Sequence, residues 1–187
     1  MSKDEERREY FRVDDKVYLT THVITEEEYN AAPETLEKLQ DDPFILSADF
    51  ATLNNNINPV LNNIRQIHPD IAEYIEFLNR KIDNLGLLLL KKENSFDSSK
   101  LFTVNISASG ILFNTTQKMK QADKIKIELI LLPEKIGLII YGHVTNRSNT
   151  NNVSIEFEHI RKQDHELMIK HNLNRQMSEI REKNDNN

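Results

Sequence analysis

At 187 residues the chain is long enough for one domain of ordinary size, or for one domain carrying an elaboration. Its 38% hydrophobic and 29% charged content fits a folded globular chain, and a formal net charge of −6 argues against general nucleic-acid binding, which needs a broad basic surface. Cysteine is absent, which excludes disulfides, thiolate zinc sites and a cysteine nucleophile.

In chain order, residues 1–9 (MSKDEERRE) and 178–187 (SEIREKNDNN) are polar and charged and read as loose ends. The start has no apolar core of a signal peptide, so a cytoplasmic location is expected. A stretch rich in Val, Thr, Tyr and Ile from Lys16 to Ile24 predicts a first strand. Residues 26–93 lack that alternation and read as helical. The longest apolar run, Leu85–Leu90, is far too short to span a bilayer, so no membrane insertion is expected. From Leu101 to Phe157 the β pattern returns as LFTVNIS, GILFNT, KIKIELILL, IGLIIYGHVTNRS and NVSIEFEHI, parted by turn signals at Pro133-Glu134, Gly137 and Asn149–Asn152. A polar helix after Ile160 closes the chain, with Leu167, Ile169, Leu173 and Met177 expected to pack against the strands.

One strand, a helical excursion and five further strands predict a mainly β, α+β fold: a six-stranded antiparallel β-barrel with long helices inserted after its first strand and a C-terminal helix. The expected organisation is 1–25 for the N-terminal segment and first strand, 26–98 for the insertion, 99–160 for the rest of the barrel and 161–187 for the final helix and tail. A connection of some 70 residues is too long for a loop and must pack on something.

Within the insertion, Ile57, Ile64, Ile71, Leu78 and Leu85 recur every seven residues, with Val60, Leu61, Ile67, Tyr74, Ile75, Ile82 and Leu89 drifting beside them. A seven-residue apolar repeat is the seam of a coiled coil or helical bundle. Pro69, followed by Asp70, fits the first position of a second helix, the alternative being one long helix kinked there. An amphipathic stripe can equally cover a barrel in its own subunit. The strict seven-residue register favours self-association through this insertion.

Two short segments carry the chemistry, about 90 residues apart. Arg7, Arg8 and Arg12 precede the first strand, and their planar guanidinium forks suit phosphate or the face of a purine. Asn105 and Ser107 share one strand face, and Gly110 supplies either a tight turn or a close approach to the backbone. Taken singly, an arginine-rich start is usually solvated charge and the Asn-x-Ser-x-x-Gly composition is common in turns. Together, Arg8–Arg12 as RxxxR and Asn105–Gly110 as [D/N]xSxxG resemble the PilZ family of cyclic di-GMP receptors. Asn62–Leu90 resembles the helical insertion of an atypical, tetrameric subgroup of that family.

The resemblance implies a PilZ-like barrel and an anionic nucleotide ligand. It implies Arg8 and Arg12 on the phosphates and guanine faces, assisted by Arg7, with Asn105 and Ser107 on a guanine edge beside an open surface at Gly110. It also implies an N-terminal segment that orders over the ligand, a dimer or tetramer, and a downstream protein partner of unknown kind. The only departure from the family pattern is the wide spacing of the two motifs, which the insertion fills.

Catalysis has no comparable support. The histidines at 22, 68, 143, 159, 165 and 171 form no HxxxH or similar ligand spacing, so neither a metal nor a catalytic residue is expected. Walker, GxSxG and Rossmann patterns are missing, and four glycines leave no Gly-rich phosphate loop. The rival to a receptor is an oligomeric adaptor that uses the barrel as a protein-docking surface without binding nucleotide.

Overall fold

The computed structural model describes residues 11–39, 42–92, 98–148 and 150–185. Six strands, β1 (Val13–Ile24), β2 (Leu101–Ser107), β3 (Gly110–Asn114), β4 (Lys124–Leu131), β5 (Ile136–Arg147) and β6 (Asn152–His159), form a closed antiparallel barrel in the order β1-β2-β3-β6-β5-β4. The helices α1 (Glu26–Asn30), α2 (Ala32–Lys38), α3 (Leu46–Ile67) and α4 (Pro69–Lys92) all lie between β1 and β2, and α5 (Lys162–Asp185) follows β6. The expected fold class is therefore the observed one.

β1 closes the barrel by splitting its length between two neighbours. Val13–Tyr18 pairs with β2 and Tyr18–Ile24 with β4. It begins three residues before the predicted Lys16, because Val13, Asp14 and Asp15 are held by Ile106, Asn105 and Val104 across the sheet. Alternation sends Val17, Ile106, Ile111, Ile127, Leu129 and Ile155 into the barrel interior. The unbroken run Ile136–Tyr141 does not alternate because both of its faces are covered. Leu138 and Ile140 point inward, while Ile139 and Tyr141 lie under Tyr29, Ala32, Leu36, Phe44 and Ile45 of the insertion. At Gly137 a β-carbon would stand 2.2 Å from the Phe44 carbonyl oxygen, so only glycine lets the insertion backbone come this close.

The insertion begins with a capping box. Glu28 N–H donates to the Thr25 hydroxyl at 3.2 Å, and Thr25 N–H donates to the Glu28 carboxylate at 2.8 Å. Further on, the chain reverses at His68, and Pro69 is indeed the first residue of a new helix. The helices α3 and α4 form an antiparallel hairpin: Asn54 donates to Asp83 at 3.3 Å, Arg65 pairs with Glu76, and the Phe50 ring lies against Gly86. The seven-residue row is thus divided, with Ile57 and Ile64 on one helix and Ile71, Leu78 and Leu85 on the other. It is not one continuous seam. Between the helices lie Leu61, Ala72 and the Asn54–Asp83 pair, while Ile57, Ile71, Leu78 and Leu85 are 40–61% exposed.

Two expectations for the C-terminal helix are corrected. Of Leu167, Ile169, Leu173 and Met177, only Leu167 is buried; the other three face outward with Ile180. The buried face instead carries Asp164, Met168, His171 and Asn172. Asp164 and His171 can occupy it because they find partners: Arg161 clasps Asp164 at 2.7 and 2.8 Å, and His171 Nε2 lies 2.7 Å from Asp15 on β1, whereas the Asn172 amide has no hydrogen-bond partner among the described residues. Ser178–Asp185, read as a loose tail, continues the helix, in keeping with the helix preference of its Glu, Arg and Lys residues.

Candidate functional site

The site forms where the entry to β1 meets the β2–β3 hairpin. The register sets Val13 opposite Ile106 and Asp14 opposite Asn105, which places Arg12 beside the end of β2. Arg12 Nη1 donates to the Asn105 side-chain oxygen at 3.3 Å and to its backbone oxygen at 3.4 Å. The Asn105 amide nitrogen in turn donates to Asp14 at 2.8 Å. That bond fixes the amide so that its oxygen faces the guanidinium. Arg7 and Arg8 lie outside the described residues.

Ser107 and Gly110 close the hairpin as a pair, with Ala108 and Ser109 at the turn. Ser107 was expected to present its hydroxyl to a ligand, but the residue is only 1% exposed. Its Oγ accepts from Ser109 N–H at 3.3 Å and lies within 3.4 Å of the Gly110 carbonyl, so it shapes the turn from inside. Asn105 is half-buried and Ser109 exposed. Gly110 has no positive φ, so turn geometry does not demand glycine there. The requirement is close approach: a β-carbon would stand 2.7 Å from the Ile155 carbonyl oxygen on β6 and 3.5 Å from Arg12 Nη2. Gly110 therefore lets β3 and β6 pair tightly beneath the Arg12 guanidinium.

Beyond the turn, Phe157 N–H donates to the Ser109 carbonyl at 2.9 Å, tying β6 to the hairpin. An open concavity of about 320 Å³ begins there, bounded by Ala108, Ser109, Phe157, Ile160, Lys162 and His165. Glu158 also borders it but is engaged elsewhere. Its carboxylate accepts from the Tyr29 hydroxyl and lies 2.6 Å from His143 Nδ1. The Tyr29 bond foremost, then His143 and Lys124, hold the Glu158 carboxyl below the usual carboxylate range against a modest burial penalty. Burial and the same carboxylate push the Tyr29 phenol upward.

Sequence reasoning brought Arg12, Asn105, Ser107 and Gly110 together, and the structure places all four within one surface region. It missed Asp14, although a two-residue strand period from Arg12 would have found it. It also missed Phe157, Lys162 and His165, which no local pattern connects to a turn some 50 residues earlier. Among the described residues no group of three or more His, Asp or Glu side chains could hold a metal ion, and no helix is long and apolar enough to cross a membrane.

Residues 87–173 match the family model of the PilZ domain. The chain carries a PilZ domain. The matched span holds β2 to β6 and the first half of α5, and β1 lies before it, on the far side of the insertion. A similar overall fold is found in a solved pathogenic protein of Xanthomonas campestris. That protein is described as a tetrameric PilZ domain self-assembled through an unusual helical bundle. It is 13% identical, with a TM-score of 0.52 over 92% of this chain and 91% of that one. The inhibitor of motility from Bacillus subtilis aligns over 42% of each chain at 16% identity and a TM-score of 0.37. No curated protein matches the sequence.

Proposed function

We propose that this PilZ-domain chain is a cytoplasmic receptor for cyclic di-GMP that works as a homo-oligomer, signals to a protein partner and catalyses no reaction. The observation that carries the reading is the convergence of the two motif segments, with Arg12 donating to Asn105 across 93 positions of sequence and lying over Gly110. A guanidinium presented at such a surface offers paired donors to a phosphate and a flat face to a purine. In this structure Arg12 Nη1 rests on the two Asn105 oxygens. Binding exchanges them for a charged phosphate acceptor, which is the stronger partner. Arg8, assisted by Arg7, completes the grip in this reading.

A specific observation favours a second role beside the first. The outward rows of the α3–α4 hairpin are apolar and exposed, and they belong to elements other than those that carry the motifs. The assembly described for the Xanthomonas campestris protein supports reading those rows as the contact between copies. An adaptor that binds no nucleotide would keep this surface and dispense with the motifs.

Isothermal titration calorimetry with cyclic di-GMP tests the receptor. Wild-type protein should bind saturably, and Arg8→Ala and Arg12→Ala should each lose at least about tenfold in affinity, as expected for one charge-assisted contact worth about 1.5–3 kcal/mol. No heat from the wild type would leave the adaptor. In that case removing residues 1–12 would leave partner capture unchanged.

A further inference from the structure

We propose that Lys162, flanked by Phe157 and His165, forms a second arm of the ligand site and holds the half of a cyclic dinucleotide that Arg12 does not reach; this rests on the receptor reading above. A cyclic dinucleotide carries two phosphodiesters, each with one negative charge, and two purine bases. A receptor that grips only one end leaves a phosphate and a base without partners. The concavity beyond Ser109 lies next along the same surface, because Phe157 N–H is bonded to the Ser109 carbonyl and Phe157 directly follows Glu156, the strand partner of Gly110.

The chemistry of this concavity suits the second half of the ligand. Ala108, the half-buried Phe157 and Ile160 supply the apolar part of its lining, and apolar lining of this kind accepts the flat face of a base. Its cation is Lys162. The preceding arginine is already neutralised, since Arg161 binds Asp164 and also Asp49 at 2.9 Å, and it is mostly buried. Lys162 is exposed, and no carboxylate lies within ion-pair distance of it among the described residues. Glu158 shares the rim, yet its oxygens are turned to Tyr29 and His143. Lys162 also borders a larger cleft of about 1210 Å³ shared by α2, α3 and the start of α5. A ligand drawn onto Lys162 would therefore touch the edge of the helical insertion, which gives binding a path toward the assembly surface.

Calorimetry with cyclic di-GMP on the full chain, at low and at physiological salt, tests the arm. Lys162→Ala should weaken binding about fivefold to tenfold, and its affinity should depend less steeply on salt. Lys162→Glu should weaken it further, and Lys162→Arg should restore it. Lys170→Ala, which alters another lysine of α5 bonded to Asn55, should bind as wild type. Lys162 is exposed and the first turn of α5 is held by Arg161, so all these variants should fold, and circular dichroism checks this. Wild-type binding that Lys162→Ala and Lys162→Glu leave unchanged would overturn the second arm alone. Absence of binding by the wild type would overturn it together with the receptor.

Discussion

Asn105 joins two functions in one side chain. Its oxygen receives the Arg12 guanidinium while its nitrogen is tied to Asp14, so the orientation of the amide is set by a residue two positions after Arg12 on the same strand face. Gly110 works by what it lacks. Adding one methyl would bring it 2.7 Å from a backbone oxygen of β6, and a main-chain atom cannot rotate aside as a side-chain tip can. Gly110→Ala should therefore part β3 from β6 and lift Arg12, with a loss of about 1–3 kcal/mol of stability, the usual cost of forcing atoms into a packed site. Urea denaturation measures the loss, and calorimetry should show ligand affinity falling with it. An alanine variant as stable as wild type would mean that the strands yield more readily than this spacing implies. The residue types of the motifs were legible in sequence because each motif sits on one short segment. The inward turn of Ser107 was not, because whether a strand residue is enclosed by its own hairpin depends on hydrogen bonds that composition does not specify.

Among the elements, β2 to β6 were readable to within a residue or so, since turn signals part most of the apolar runs, although Gly137, read as one of those signals, lies inside β5. The early start of β1 was hidden by Asp14 and Asp15, poor strand formers that are paired only through contacts some 90 residues away. The rotation of α5 was hidden for a related reason. An amphipathic reading assigns apolar residues to the core, whereas here Asp164 and His171 are buried on the partners Arg161 and Asp15.

The anchoring of α1 follows the same polar logic. Tyr29 is buried with its hydroxyl on Glu158 and its ring 4.0 Å from Lys124 Nζ. Because the Glu158 carboxyl is held below its unfolded value of about 4.3, the unfolded chain binds more protons between the two values. Its contribution to stability is therefore present above about pH 4.3 and is lost as pH falls through the depressed folded value. Tyr29→Phe removes the leading cause of that depression. It should lower stability at neutral pH by about 1 kcal/mol and flatten the loss on acidification, since Glu158 is partly exposed and screening keeps the pH-dependent share small. Urea unfolding from about pH 3 to 7 checks both the offset and the slope. An unchanged slope would place the acid sensitivity elsewhere.

At the scale of the whole molecule, the described strands close into a barrel in which every strand has two neighbours, so the sheet has no terminal strand to offer for association. The hairpin is different. Asn54 and Asp83 bond across a half-buried contact between the helices and Arg65 and Glu76 bridge them at the surface, while Leu53, Ile57, Val60, Ile71, Leu78 and Leu85 are exposed. Exposed large apolar residues recurring along both helices are characteristic of an interaction face and not of a solvated helix pair. The seven-residue spacing was visible in sequence, but its division between two antiparallel helices required the reversal at His68.

Ile71→Asp with Leu78→Asp tests the assembly directly. Both residues are 40% exposed or more in the single chain, so the carboxylates can be hydrated there and the subunit should keep its fold. In an assembly they would be enclosed without partners, at about 3–5 kcal/mol for each uncompensated charge. Size-exclusion chromatography with light scattering should show wild type as an oligomer and the double variant as a single subunit. Cyclic di-GMP affinity should be retained, because Arg12 and Asn105 belong to the barrel surface and not to the hairpin. A double variant that remains oligomeric would show that the outward rows are not the contact, and a monomeric wild type would remove the need for one.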